Sequence, residues 1–172
     1  MTEMPRIQPI PFKNGEAHRR WELTADWHYS KWNNSMIIIP KGFIFNGASI
    51  PKMFSSVFAS TGILFLASLV HCHLYQYRWI WVIKRDADGE FYPLNKERFY
   101  INKSLADDIF KEIALISYPD YSKSIWVAKK ALTLGGGSAW NACRKAEGNY
   151  KPPIDHSEEY DKKRNPEYYD SP

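Results

Sequence analysis

The sequence predicts an α+β fold in which a small, mostly antiparallel N-terminal sheet packs with three or four helices. Its first 45 residues are rich in β-branched and aromatic residues and are divided by turn signals, which is typical of short strands. An apolar run, GILFLASLVHCHLYQY, then occupies residues 62–77, and two stretches with helical spacing follow after residue 103. At 172 residues the chain is long enough to bury one core.

The N-terminal segments have the composition of strands and turns. RIQPIPF, at residues 6–12, is interrupted by proline, which favours a sheet edge because proline cannot donate to a strand ladder. RRWELTADWHYS, at residues 19–30, alternates in part and carries aromatic residues, as strands do. Asn33-Asn34-Ser35 marks a turn. MIIIPKGFIF, at residues 36–45, then predicts a strand, a Pro-Lys-Gly turn and a second short strand.

Two consecutive helices are predicted in the middle of the chain. Pro51 suits the first position of a helix over PKMFSSVF, because the N–H that proline lacks has no partner there. The run at residues 62–77 is apolar on nearly all sides, so it predicts a central, buried helix.

Two further helices are predicted after residue 103. SLADDIFKEIALIS opens with Ser104 and has Asp107 three residues later, which is the spacing of a capping box. YSKSIWVAKKALTL, at residues 121–134, predicts a last helix. We expect it to end at the glycine run 135–137, since glycine disfavours helix interiors and is common at helix ends.

Residues 79–100 interrupt the helices and predict a β-hairpin insertion. Asp88-Gly89 is a hairpin turn signal that lies between a strand-like segment, residues 79–83, and EFYPL. From Arg144 onward the sequence is polar and rich in Tyr and Pro, so it cannot bury much apolar surface by itself. We therefore expect a single α+β domain over residues 1–143 and an extended polar C-terminal arm over residues 144–172.

Composition argues against several classes of protein. The net charge of +4 comes from basic residues scattered among acids, so no nucleic-acid specificity is expected. The longest apolar run is too short and too polar at its end to cross a bilayer, and the first residues lack the apolar core of a secretory signal. Cys72 and Cys143 cannot form a disulfide framework. A bridge between them is one alternative, and free thiols in a reducing compartment are what we expect.

Four motifs in order resemble the phage-associated family called domain of unknown function 1353. They are PKGFIFNGASIPKMF, LVHCHLY, LADDIFKEIA and GGGSAW, which together extend from Pro40 to Trp140. The family typically has an Asp after a Gly-Phe pair, then Ala-Ser-x-Pro, a helical His-Asp-x-x-Tyr, an Ala-Asp and a Gly-Gly-x-x-Trp. Its members occur mostly in tailed-phage genomes and prophages, and their clustered polar residues have the look of a metal or hydrolytic site.

This chain keeps part of that polar cluster and lacks two of its carboxylates. The positions that match the family's residue types are Ser49, Pro51, His71, Tyr75 and Asp107. Asn46 stands where an Asp is usual, and Cys72 stands where the second Asp is usual. Asn46 cannot act as a general base, and a Cys72 thiol is a weak hydrogen-bond partner for holding a histidine in one tautomer.

The remaining residues leave three interpretations open. Ser49 and His71 could form a nucleophile–base pair, with Tyr75 and Asp107 as further catalytic candidates. His71 and Asp107 are also candidate metal ligands. The interpretation we prefer is a structural polar network that fixes a strand–turn–helix corner against two other helices. Its members would be Asn46, Ser49, His71, Tyr75 and Asp107.

From the resemblance and the two lost carboxylates, we expect a non-enzymatic structural component of a tailed-phage virion, in the tail or neck region. It would be made in the host cytoplasm and anchored to its neighbours partly by the C-terminal arm. Its partners would be other phage structural proteins in a homo- or hetero-oligomeric assembly, and no cofactor is expected. One alternative is a phage-encoded hydrolase of cell-wall material, with or without a metal. A third is a small inhibitor of a host enzyme.

Overall fold

The computed structural model describes residues 4–11, 20–45 and 64–146. Seven strands and three α-helices lie in these residues, and a short 3-10 turn at Pro119–Tyr121 precedes the last helix. In chain order they are β1 (Ile7–Ile10), β2 (Arg20–Leu23), β3 (Trp27–Trp32), β4 (Ser35–Ile39), β5 (Ile44–Phe45), α1 (Phe65–Tyr77), β6 (Trp79–Arg85), β7 (Phe91–Tyr100), α2 (Lys103–Ser117) and α3 (Ser122–Lys145).

All strand pairings in the described residues are antiparallel, and they form two sheets. The smaller sheet has the order β1-β2-β5, and the larger has the order β3-β4-β6-β7. The predicted hairpin is present as β6 and β7. It is also part of the larger sheet, because β6 pairs directly with β4, with Ile37 opposite Val82. The α+β prediction is confirmed.

The turns between the strands follow from the residues at their tips. Asn33 and Asn34 both have positive φ, 45° and 54°, which suits the tight turn that joins β3 to β4. In the β6–β7 turn Gly89 has φ +85°, a conformation that glycine adopts without steric cost. The Asp86 carboxylate accepts hydrogen bonds from the backbone N–H groups of Asp88 and Glu90, at 3.0 and 2.8 Å. The hairpin register is therefore set locally.

The central helix predicted from the apolar run is α1, and every residue from Phe65 to Tyr75 is buried. It packs with α2 and α3 against the inner face of the larger sheet, where Ile80 and Val82 of β6 join the same core. Trp81 and Ile83 alternate with them and form a smaller cluster with Ile38 on the opposite face. Burial on all sides explains why α1 has no polar stripe.

The prediction that the last helix ends at the glycine run is wrong. Helix α3 continues through residues 135–137 and ends at Lys145. Each glycine in a helix interior costs about 1 kcal/mol relative to alanine, so packing must offset this cost. Gly136 is buried at the point where α3 meets α1 and α2. There the lack of a side chain is what allows the close approach.

The predicted capping box at the start of α2 is also wrong. The N-cap is Asn102, whose side-chain oxygen accepts a hydrogen bond from the backbone N–H of Leu105 at 2.9 Å. Asp107 does not cap the helix, and its side chain is buried against α1. The local spacing predicted a start close to that of α2, but it assigned the cap to Ser104 instead of Asn102.

Several predictions concern residues outside the described ranges. These are the helix over PKMFSSVF with Pro51 at its start, the turn at Asn46-Gly47, and the arm beyond residue 146. Within the described ranges, no helix has both the length and the apolar character needed to cross a membrane.

Candidate functional site

A single buried carboxylate connects the three helices. Asp107 of α2 is 1 % exposed and accepts hydrogen bonds from three side chains. Its Oδ1 accepts from the Tyr75 hydroxyl at 2.8 Å and faces Nε2 of His71 at 3.0 Å. Its Oδ2 accepts from the Lys103 ammonium at 2.8 Å. Because charge-assisted hydrogen bonds satisfy both oxygens, the carboxylate can remain ionised inside the core.

Helical spacing brings these groups together. His71 and Tyr75 are four residues apart on α1, so their side chains share one face, with ring centroids 4.1 Å apart. Lys103 and Asp107 are four residues apart on α2 and form an ion pair. Where the two faces meet, each helix contributes two side chains to the network.

The charge states of the network follow from burial and from these contacts. Burial alone would raise the pKa of Asp107, but hydrogen bonds from His71, Lys103 and Tyr75 outweigh it and lower the pKa below its usual value. Burial lowers the pKa of His71, against the opposing effect of Asp107. Burial and the adjacent carboxylate raise the pKa of Tyr75. At neutral pH, Asp107 is therefore charged, while His71 and Tyr75 are neutral.

Neutral His71 has a defined tautomer. Its Nε2 faces a carboxylate oxygen that can only accept, so the proton lies on Nε2 and the Nδ1 atom keeps its lone pair. The ring also packs edge-on against Phe110, with centroids 5.5 Å apart. An imidazole oriented by a carboxylate through one nitrogen can act as a base through the other. The arrangement gives His71 the hydrogen-bond pattern of such a base, in a residue that is 6 % exposed.

The third helix closes the network from the opposite side. The Lys103 ammonium also donates to the backbone carbonyl of Leu132 at 3.0 Å and lies 3.4 Å from that of Thr133. Tyr75 packs edge-on against Trp140 of α3, with ring centroids 5.1 Å apart. A methyl group built on Gly136 would lie 2.6 Å from the Tyr75 hydroxyl oxygen. Helix α3 therefore covers Lys103 and Tyr75, two of the three donors to the buried carboxylate.

Arg144, near the end of α3, holds the end of α1. Its guanidinium donates to the backbone carbonyls of Tyr75 and Gln76, the latter at 2.9 Å, and stacks over Trp140 at 4.7 Å. Carbonyls in the last turn of a helix lack intrahelical donors and carry the negative end of the helix dipole. The Arg144 guanidinium supplies both the missing hydrogen-bond donors and a positive charge at this end of α1.

We expect Arg144→Ala to lower the free energy of unfolding by about 1–2 kcal/mol, because carbonyls at the end of α1 lose a charged donor. Lys145→Ala, at the exposed neighbouring position, is the matched control and should change stability by less than about 0.5 kcal/mol. Urea denaturation followed by circular dichroism measures both. Equal effects of the two substitutions would contradict this role of Arg144.

The lowered pKa of His71 predicts a pH dependence of stability. The unfolded chain takes up a proton on this residue below its usual pKa of 6.5, whereas the folded chain does not until a lower pH. The stabilisation is therefore present above pH 6.5 and is lost as the pH falls through the folded-state pKa. One such group contributes a slope of up to about 1.4 kcal/mol per pH unit.

The measurement is urea denaturation between pH 7.5 and 5. His71→Gln should flatten the slope, because Gln can still donate to Asp107 but does not titrate. His28→Gln, at an exposed position of β3 outside the Asp107 network, is the control for the loss of one histidine. A slope that is the same in all three proteins would refute the assignment to His71.

Of the five residues predicted to form a polar network, the structure brings three together: His71, Tyr75 and Asp107. Asn46 and Ser49 lie outside the described residues. Within the described residues, neither cysteine forms a disulfide bond, and Cys72 is buried while Cys143 is half-buried. Within the described ranges, no group of three or more His, Cys, Asp or Glu side chains is placed to hold a metal ion.

Three contributors to the site were not predicted from the sequence. Lys103 precedes Asp107 by four residues, a spacing that could have indicated the ion pair. Gly136 lies in the glycine run, which was interpreted as a helix end. Arg144 lies at the predicted start of the arm, and no local pattern connects it to the end of α1.

The chain matches one protein family, described as "Protein of unknown function (DUF1353)", over residues 21–126. The matched part contains β2 through the start of α3, and with them His71, Tyr75, Lys103 and Asp107. It ends before the glycine run and Trp140. No curated protein and no solved structure matches the chain. Since the family covers more than half of the sequence, the chain belongs to this family of proteins of unknown function.

Proposed function

We propose that the protein is a non-enzymatic structural component of a tailed-phage particle, located in the tail or neck region. The observation that carries this proposal is the saturation of Asp107. Both carboxylate oxygens are occupied by donors from α1 and α2, and the residue is 1 % exposed. A carboxylate in this state fixes the packing of helices and is not available to a substrate as a nucleophile or general base. Phage association is what the four family-like motifs imply.

The distribution of exposed apolar side chains also supports an assembly role. In the described residues, most of the large apolar side chains that are exposed lie between Ile116 and Leu134. Trp126 is 53 % exposed and Leu134 is 86 % exposed. Concentrated apolar exposure is a feature of surfaces that contact other proteins. In a particle, neighbouring subunits would cover this part of α2 and α3.

The test is the location of the protein. We expect quantitative mass spectrometry of gradient-purified particles to find it at a fixed copy number relative to known tail proteins. Immunogold labelling should then place it in the tail or neck. Its absence from purified particles, together with its presence in the lysate of infected cells, would refute the proposal. A host protein of similar abundance serves as the control for contamination.

The oriented imidazole of His71 favours a second candidate, a hydrolase of cell-wall peptide or glycan. In that case Nδ1 would act as the base and Asp107 would hold the ring through Nε2. Purified protein would be incubated with cell walls, with and without added divalent metal, and the release of soluble fragments would be measured. Release by the wild type that is abolished in His71→Gln and retained in His28→Gln supports this function. No release by any of the three excludes it.

A further inference from the structure

Besides the Asp107 network, a groove on the outer surface of α2 and α3 is a candidate binding site. It has a volume of about 320 Å³ and lies along the first half of α3, away from Arg144. Six residues line it: Lys111, Trp126, Lys129, Lys130, Thr133 and Leu134. We call these residues the lysine groove. Its lining combines three ammonium groups with one indole and one leucine, so it suits an anionic segment that also carries apolar side chains.

The acidic groups near the lysine groove do not balance its charge. The Lys129 ammonium pairs with Asp108 of α2 at 3.2 Å. The Lys130 ammonium lies over the Trp126 ring, 3.9 Å from its centroid. Among the residues that the structure describes, Asp108 is the carboxylate that forms an ion pair with these lysines. Carboxylates brought between these side chains would gain attraction from the positive charges on both helices.

The chain itself contains a segment of matching chemistry shortly after α3. Residues 154–161, IDHSEEYD, carry four acids and neither lysine nor arginine. Ile154 and Tyr160 supply the apolar side chains. The segment is followed at once by Lys162-Lys163-Arg164, where the sign of the charge reverses. The acidic stretch therefore ends where a basic stretch begins.

The connection between the two is long enough. Along the helix axis, Lys130 lies about 23 Å from Lys145, at 1.5 Å per residue. The nine residues from Ala146 to Ile154 span up to about 30 Å when extended. The acidic stretch can therefore return along α3 and reach the lysine groove of its own chain.

We propose that residues 154–161 bind in the lysine groove of the same chain. The carboxylates of Asp155, Glu158, Glu159 and Asp161 pair with the groove lysines, and Ile154 and Tyr160 contact Trp126 and Leu134. Binding within one chain is favoured over binding between chains, because a short connection holds the segment at an effective concentration in the millimolar range. The inference concerns the isolated chain, in which no neighbouring subunit covers Trp126 and Leu134, so it does not depend on the proposed function.

Limited proteolysis of the full-length protein tests the proposal. A protease that cuts after glutamate has sites at Glu158 and Glu159 inside the segment and at Glu167 beyond it, which serves as the internal reference. At low salt, we expect cleavage at the two inner sites to be at least about fivefold slower than at Glu167, which corresponds to a binding free energy of about 1 kcal/mol. In 1 M salt, where screening acts within about 3 Å, the protection should disappear.

Two triple variants separate the groove from a general effect of charge. Lys111→Gln, Lys129→Gln and Lys130→Gln together should abolish the protection. Lys41→Gln, Lys84→Gln and Lys96→Gln remove the same charge from the β4–β5 turn and the β6–β7 hairpin and should leave the protection intact. Thermal melts establish that both variants are folded. Equal cleavage at inner and outer sites in the wild type, or equal protection in the two variants, would overturn the proposal.

Zero-length carbodiimide cross-linking identifies which chain supplies the segment. A mixture of unlabelled and ¹⁵N-labelled protein is treated and digested, and the cross-linked peptides are analysed by mass spectrometry. Amides that join Lys111, Lys129 or Lys130 to the acidic stretch should carry one isotope only, as expected within a single chain. Mixed-isotope peptides would show exchange between copies, and cross-links confined to other lysines would show a different binding site. Either result contradicts the proposal.

Discussion

Replacing Asp107 by asparagine is expected to lower the free energy of unfolding by about 3–5 kcal/mol, the cost of removing one partner from a buried ion pair. The substitution leaves the Lys103 ammonium without its counter-charge. The three donors His71, Tyr75 and Lys103 bond to two carboxylate oxygens, whereas asparagine offers them one amide oxygen. The amide N–H₂ group, itself a donor, then faces one of these donors. Urea denaturation at pH 7 measures the change.

The adjacent Asp108 provides the matched control. It is only half-buried and pairs with Lys129 on the surface, so Asp108→Asn should cost at most about 1 kcal/mol. If Asp107→Asn does not fold, Tyr75→Phe removes one of the three donors and should cost about 1–2 kcal/mol. Similar, small effects at positions 107 and 108 would show that the carboxylate does not stabilise the fold.

Gly136→Ala and Gly137→Ala are expected to change stability in opposite directions. A methyl group on Gly136 would lie 2.6 Å from the Tyr75 hydroxyl oxygen and 3.3 Å from Cε of Lys103. The hydroxyl is held by Asp107 and cannot move without breaking that bond, so we expect a net loss of about 1–3 kcal/mol. A methyl group on Gly137 meets no atom within 4 Å. There alanine should stabilise the helix by about 0.5–1 kcal/mol.

A double-mutant cycle identifies the cause of the loss. In a Tyr75→Phe background the hydroxyl is gone, so Gly136→Ala should cost clearly less than in the wild type. Denaturation curves of the two single variants and the double variant give the coupling energy. Stabilisation by Gly136→Ala, or a cost that does not depend on Tyr75, would disprove the close approach of α3 to the network.

The strands and turns could be predicted because they depend on local chemistry. Asn33-Asn34 and Asp88-Gly89 adopt turn conformations that few other residue pairs favour, and their flanking segments alternate in the manner of strands. Helix α1 could be predicted because a run that is apolar on all sides must be buried. The pairing of β6 with β4 could not be predicted, since strand order depends on contacts between segments distant in sequence.

The errors have a common origin in tertiary contacts. The glycine run indicated a helix end because isolated helices disfavour glycine, yet α3 continues where Gly136 lies against α1 and α2. Asp107 had the spacing of a capping residue, but its side chain bonds to His71 and Tyr75 on α1 and to Lys103 on its own helix. His71 and Tyr75 could be placed on one face from their spacing alone. That Asp107 completes the group followed from the family resemblance and not from any local rule.

The contact of Lys103 with the carbonyl of Leu132 has a consequence for how the molecule opens. If α3 detached alone, the ammonium would lose this acceptor and the covered carboxylate would meet water beside two neutral donors. Local opening of α3 therefore breaks the contacts that hold Lys103 and Tyr75, the donors to Asp107 on α2 and α1. The three helices should behave as one cooperative unit in hydrogen exchange, with similar protection of their central amides.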